Sequence, residues 1–232
     1  MSQLEMIESD LSVTHRNFEV TADGVCRPMQ SPSISLDRFP SRYPYSLCRF
    51  LHDLDTLVEL TTDDLERIRV ATILTRRFLE GASWLVNFCP PPDPEQRVAM
   101  KPLYSPPDSP FEVYVFSWLP QNSGVHSHGT WSIVALLGDG TTGRELNYFW
   151  TRFDDGTQPD HAVVKPISKQ ILEAGDIIGF TSDAIHNIKS ISAEKEENLK
   201  QPTPTYMFNI FGESNPSKRY MFNPFDNSFS TY

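Results

Sequence analysis

The chain is short of cysteine, short of positive charge and without a long apolar run, and each shortage removes a class of protein. Only three cysteines occur, Cys26, Cys48 and Cys89, widely spaced and with no CxxC pair. That excludes a disulfide framework and points to a reducing compartment. Lys and Arg number 20 against 30 Asp and Glu, a formal net charge of −10. This balance argues against nucleic acid or an anionic membrane surface as a partner. No apolar stretch approaches the ~20 residues needed to span a bilayer. The N-terminus has neither the basic start nor the apolar run of a signal peptide. We therefore expect a cytoplasmic protein, off the membrane, working as a monomer or homodimer. Histidine is scarce too: the chain has six, yet two of them stand two residues apart in "GVHSHGTW".

What is abundant is aromatic. Fifteen Phe, eight Tyr and four Trp, within a 39% hydrophobic content, suggest one aromatic-rich β core. Residues 1–44 lack a sustained period and read as a weakly structured arm. Residues 45–88 read as a helical lead-in packed on the rest. There Leu65, Ile68, Ala71, Leu74 and Phe78 form one apolar stripe, with Thr62 or Asp63 as cap. Residues 89–110 carry eight prolines, a density that excludes a regular helix and suggests a connector wrapped on the surface. From 111 to 232 short strand signals follow one another with turns and no intervening helix, which favours an antiparallel sandwich or barrel.

On a strand, residues two apart face one side with Cα atoms ~6.6 Å apart, so His126 and His128 can share a metal at the ~2.0–2.1 Å typical of Zn–N bonds. Ser127 then points away, and Gly124 and Gly129 permit tight turns at either side. Of the remaining histidines, His15 lies in the arm, His52 in a helix and His161 after an acidic turn. His186, in "LEAGDIIGFTSDAIHNIKS", follows a Gly-Asp turn and an apolar strand, and is our choice for the third ligand. Three imidazoles with open coordination positions suit iron, zinc, copper or nickel. Other residues have quieter readings. Trp131 begins a buried strand or lines the pocket mouth. Glu145 is expected to face solvent. Cys89 is structural, and "EKEE" at 194–197 is a solvated loop.

"GVHSHGTWSI" and "GDIIGFTSDAIHNI" together resemble the two motifs of the cupins, and more narrowly those of cysteine-dioxygenase-type thiol dioxygenases, over roughly residues 45–213. The cupin glutamate positions after the second histidine hold Ser132 and Ile133, which matches the glutamate-free, three-histidine site of that family. The resemblance implies a cupin double-stranded β-helix (jelly-roll) barrel preceded by short N-terminal helices. It also implies mononuclear Fe(II) held by His126, His128 and His186, with a small-molecule thiol and O2 as substrates and a sulfinate as product.

The chain departs from that pattern on the substrate side. The family's Ser-x-His-x-Tyr stretch aligns with "MFNIFG", placing Met207, Asn209 and Phe211 at those positions. Ile133 stands where animal members carry a crosslinked cysteine, and Lys101 is the basic residue nearest the expected carboxylate-binding arginine. Lys101, Trp131, Asn209 and Phe211 are thus the candidate pocket residues. Two other readings stay open at this point. One is a non-oxidative isomerase or lyase using Zn, Ni or Mn; the other is a non-catalytic cupin that binds a metal or metabolite.

Overall fold

Ser46 and Asp63 begin the two long helices by accepting the backbone N–H of Arg49 and Glu66. These helices are α1 (Leu47–Leu60) and α2 (Asp64–Leu79), and a short α3 (Leu85–Phe88) follows. The computed structural model describes residues 15–41, 44–139, 142–191, 203–213 and 216–232. The "EKEE" stretch and residues 1–14 lie outside them. Among the described residues no helix is long and apolar enough to cross a membrane.

The strands are β1 (Asn17–Val20), β2 (Cys26–Pro28), β3 (Val98–Tyr104), β4 (Phe111–Trp118), β5 (Val125–Ser127), β6 (Ser132–Leu137) and β7 (Arg144–Arg152), continued by β8 (Val164–Leu172), β9 (Ile177–Phe180), β10 (Ile185–Ile191), β11 (Thr205–Gly212), β12 (Tyr220–Asn223) and β13 (Ser228–Thr231). They form a seven-stranded sheet, β2-β1-β9-β6-β11-β4-β3, and a six-stranded sheet, β13-β12-β5-β10-β7-β8. Every pairing is antiparallel except β1 on β9. The sheets pack face to face: Val134, Leu136, Ile178 and Met207 of one meet Phe149 and Leu172 of the other. The result is a jelly-roll β barrel with helices laid on its larger sheet.

Central strand β6 is buried along its whole length, because its alternate residues serve two cores. Ile133 and Ala135 pack under the helices, and Val134 and Leu136 fill the barrel. This explains why "SIVALL" shows no polar alternation. Helix α2 lies so close to β9 that a Cβ at Gly179 would stand 2.8 Å from Ile68 Cβ, so glycine sets the approach of helix to sheet.

Two expectations are corrected here. Residues 17–28, placed in a weakly structured arm, are strands of the larger sheet. Glu19 on β1 is buried and takes two hydrogen bonds of 2.8 Å from Arg69 on α2, while Arg16 pairs with buried Asp176. These long-range ion pairs leave no local period to read. Residues 98–104, placed in a surface connector, are edge strand β3. Its one proline with a register partner, Pro102, sits at a bulge on the sheet edge, where a missing N–H costs little.

Candidate metal centre

Three histidines converge on the inner face of the smaller sheet. β5 carries His126, His128 follows directly after its last residue, and β10 runs antiparallel beside β5 with His186 directly across from His126. Ring centroids are 5.2 Å apart for His126–His128, 4.5 Å for His126–His186 and 5.0 Å for His128–His186. One ring nitrogen from each lies within 4.8 Å of the others. Gly129 has φ +66°, and a Cβ there would collide with the Lys218 backbone. The turn that aims His128 inward therefore requires glycine.

The outer nitrogens show which atoms are left for a ligand. His126 Nδ1 is 3.2 Å from the Gly124 carbonyl, His128 Nδ1 is 2.7 Å from Ser132 Oγ, and His186 Nδ1 is 3.4 Å from Asn147 Oδ1. A histidine whose Nδ1 is engaged behind it presents Nε2 in front, and His186 Nε2 and His128 Nε2 face each other at 3.2 Å. Burial lowers the pKa of all three. For His128 the neighbouring His126 and Arg219 add to the effect, and for His186 the other two histidines do. Neutral imidazoles crowded nose to nose, each braced from behind, fit one divalent ion of the iron-to-zinc series.

The histidines form one wall of a cavity of about 350 Å³. Phe180 lies against His186 at 4.3 Å between centroids, and Phe211 meets His128 edge-on at 5.2 Å. Val134, Ile188 and Met207 add apolar surface, and Phe116 and Trp118 of β4 close the opposite side. Polar groups are few. Arg219 lines the cavity and lies close enough to His128 for its charge to act there. Tyr114 and Glu112 reach it from β4, with the Tyr114 hydroxyl 3.1 Å from Glu112 Oε1 and 3.0 Å from Ser105 Oγ. Tyr232 covers the His126 side, its hydroxyl donating to the Ser127 carbonyl at 3.4 Å.

Of the candidate ligands His126, His128 and His186 and the candidate pocket residues Lys101, Trp131, Asn209 and Phe211, five meet in this cavity: the three histidines, Asn209 and Phe211. Two do not. Trp131 is 2% exposed in the core between helices and sheet, away from the pocket. Lys101 lies on the other face of β3, with its Nζ 3.6 Å above the Phe88 ring, and its exposed neighbour Met100 is the residue at the cavity's rim. A one-residue step along a strand changes the face, which accounts for Lys101. His15, His52 and His161 stay outside the cluster.

Glu145 is also corrected. It is wholly buried inside the barrel, and burial pushes its carboxyl up to about 7, with the Asn147 amide acting weakly the other way. The residues that sequence reasoning missed are Asn147, Arg219, Tyr114 and Glu112. For β4 a signal existed in the alternation of "FEVYVFSW", but both of its faces are apolar enough to look like core.

No protein-family model matches the chain, and no curated protein matches it. Among solved structures it is similar to an oxalate oxidase in complex with the substrate analogue glycolate, at 15% identity and TM-score 0.39, over 55% of this chain and 57% of that one. A cupin superfamily protein from Desulfitobacterium hafniense DCB-2 is similar at 15% identity and TM-score 0.32, over 50% of this chain and 76% of that one. An RmlC-like cupin protein from Ralstonia eutropha JMP134 is similar at 14% identity and TM-score 0.35, over 59% of this chain and 66% of that one. The chain thus spans little more than half the length of the oxalate oxidase chain.

Proposed function

We propose that the chain is a cupin-type metalloenzyme, resembling the cysteine-dioxygenase-type thiol dioxygenases, that uses O2 to oxidise a small thiol or a related small metabolite at Fe(II) held by His126, His128 and His186. The observation that carries this reading is the ligand set. Three histidines converge at the cavity wall without a carboxylate among the described residues that could join them. Ser132, at a position where the cupin motif has its glutamate, instead bonds His128 Nδ1.

Fe(II) in such a site supplies a meeting point for sulfur and O2 and a route for the electrons between them. The net conversion takes a thiol and O2 to a sulfinate and one proton. Two S–O bonds form, the O–O bond breaks, and sulfur loses the four electrons that oxygen gains. The protein's own residues prepare this. Three neutral imidazoles bring no negative charge, and Arg219 adds a positive one, so an anionic thiolate is favoured over the neutral thiol. Phe180, Phe211, Val134 and Met207 keep bulk water from the reacting atoms. The Tyr114–Glu112–Ser105 cluster offers hydrogen bonds to the far end of a substrate. Three widely spaced cysteines support a reducing compartment, the cytoplasm, for this reaction, where thiols stay reduced.

Oxygen uptake by the iron-loaded protein with a panel of small thiols tests this reading. Uptake with at least one thiol, matched by sulfinate formation and absent from His186→Ala, is expected. Turnover of a substrate with zinc or manganese in place of iron and no oxygen consumed would contradict it in favour of a Lewis-acid lyase or isomerase. Metabolite binding without turnover would contradict it in favour of a binding protein.

A further inference from the structure

β7 turns Glu145 and Asn147 into the barrel behind the metal-binding face, at 0% and 1% exposure. In register with β10, Asn147 stands opposite Ile188 and Glu145 opposite Ser190, so the two lead away from His186 on one face. Asn147 Oδ1 reaches His186 Nδ1 at 3.4 Å. On its other side Asn147 Nδ2 and both oxygens of Glu145 are buried without a hydrogen bond of standard geometry, yet the Asn147 amide stands near enough to Glu145 to act on its carboxyl against the effect of burial. A buried carboxyl with so weak a partner costs stability, so its place beside the Asn147 amide calls for a use.

A carboxamide is nearly symmetric in shape, with an acceptor at one end and two donors at the other. If Asn147 turned its NH2 to His186, Nδ1 would have to accept and the ring proton would sit on Nε2, blocking the atom a metal needs. His126 has no such ambiguity, because the Gly124 carbonyl can only accept. For His186 the choice falls to whatever lies behind the amide. We propose that Glu145 is a positioning residue: it holds the Asn147 NH2 on its own side, so that Asn147 Oδ1 accepts from His186 Nδ1–H and the Nε2 lone pair faces the cavity. A carboxyl keeps an acceptor oxygen whether or not it is protonated, so the arrangement does not depend on its ionisation. The consequence for metal binding rests on the reading of the three histidines as ligands; the tautomer itself does not.

The test uses the full chain, metal-free, with 15N-labelled histidine, and reads the His186 tautomer from ring-nitrogen chemical shifts. The same samples are then titrated with Zn2+ against a competing chelator. His186 is expected to be the Nδ1–H tautomer in the wild type and in Glu145→Gln, whose side-chain carbonyl can still accept. It is expected to become mixed in Glu145→Leu, and in Glu145→Ala should the leucine variant fold poorly. Zn2+ affinity should fall roughly 10–100-fold in those last two. Adding Asn147→Asp to Glu145→Leu should restore both readouts, because a carboxylate has no donor end to misplace. An unchanged tautomer in Glu145→Leu and Glu145→Ala, or an Nε2–H tautomer in the wild type, would overturn the proposal. A changed tautomer in a protein that never binds Zn2+ would uphold the positioning role and overturn the metal reading alone.

Discussion

Burying a carboxyl with no charged partner makes the energy of folding depend on pH, and Glu145 shows the sign clearly. Its pKa is about 7 in the folded chain against an ordinary 4.5. Below about pH 4.5 the group is protonated in both states and costs nothing electrostatic. Between 4.5 and 7 the unfolded chain ionises while the folded chain keeps its proton, so stability falls as pH rises. Above 7 the full cost is present, about 3 kcal/mol at 1.36 kcal/mol per pH unit. Urea denaturation of the metal-free protein should find Glu145→Gln gaining on the wild type by about 3 kcal/mol between pH 4.5 and 8. A difference that stays constant over that range would mean the carboxyl is not buried as described. At this scale the site was partly legible. His126 and His128 are marked by their two-residue spacing and His186 by the turns around it. Asn147 and Arg219 carry no such mark, because an asparagine in a strand and an arginine before a hairpin are ordinary until the fold brings them to the cavity.

Among the elements, β7 shows why alternation misled. Its inward residues include Glu145 and Asn147, while Leu146 and Tyr148 lie on the outward face. The polar residues thus stand inside and apolar ones outside, the reverse of the rule by which a strand's core face is read. Strand β1 was hidden for another reason. Four residues held by parallel pairing to a distant strand and by the Glu19–Arg69 ion pair have no short-range signature. That pair makes a prediction at the element scale. Arg69→Met leaves Glu19 buried and unpaired, and should destabilise the chain by about 3 kcal/mol in urea denaturation. Hydrogen exchange should quicken first along β1. Adding Glu19→Met should recover most of the loss. A single Arg69→Met variant as stable as the wild type would show that the ion pair does not hold this strand.

For the molecule as a whole, the helical stripe of α2 and the run of short strands after residue 110 were sufficient to anticipate helices on an antiparallel barrel. What they could not convey is that the larger sheet is buried twice. Its outer face supports the helices and its inner face, with the smaller sheet, encloses the site. This layering gives His126 and His186 rigid strands on which to stand and holds His128 at a strand end, with Ser132 and Asn147 braced in the same walls, and it is what a preorganised metal centre requires. The central claim is that His126, His128 and His186 hold one metal ion. It is tested most directly by elemental analysis of the full chain purified from iron-supplemented cells, beside His186→Ala shown by circular dichroism to be folded. The account predicts about one metal ion per wild-type chain, as a mononuclear site requires, and a near-complete loss in the variant. Equal metal content in the two proteins would contradict it.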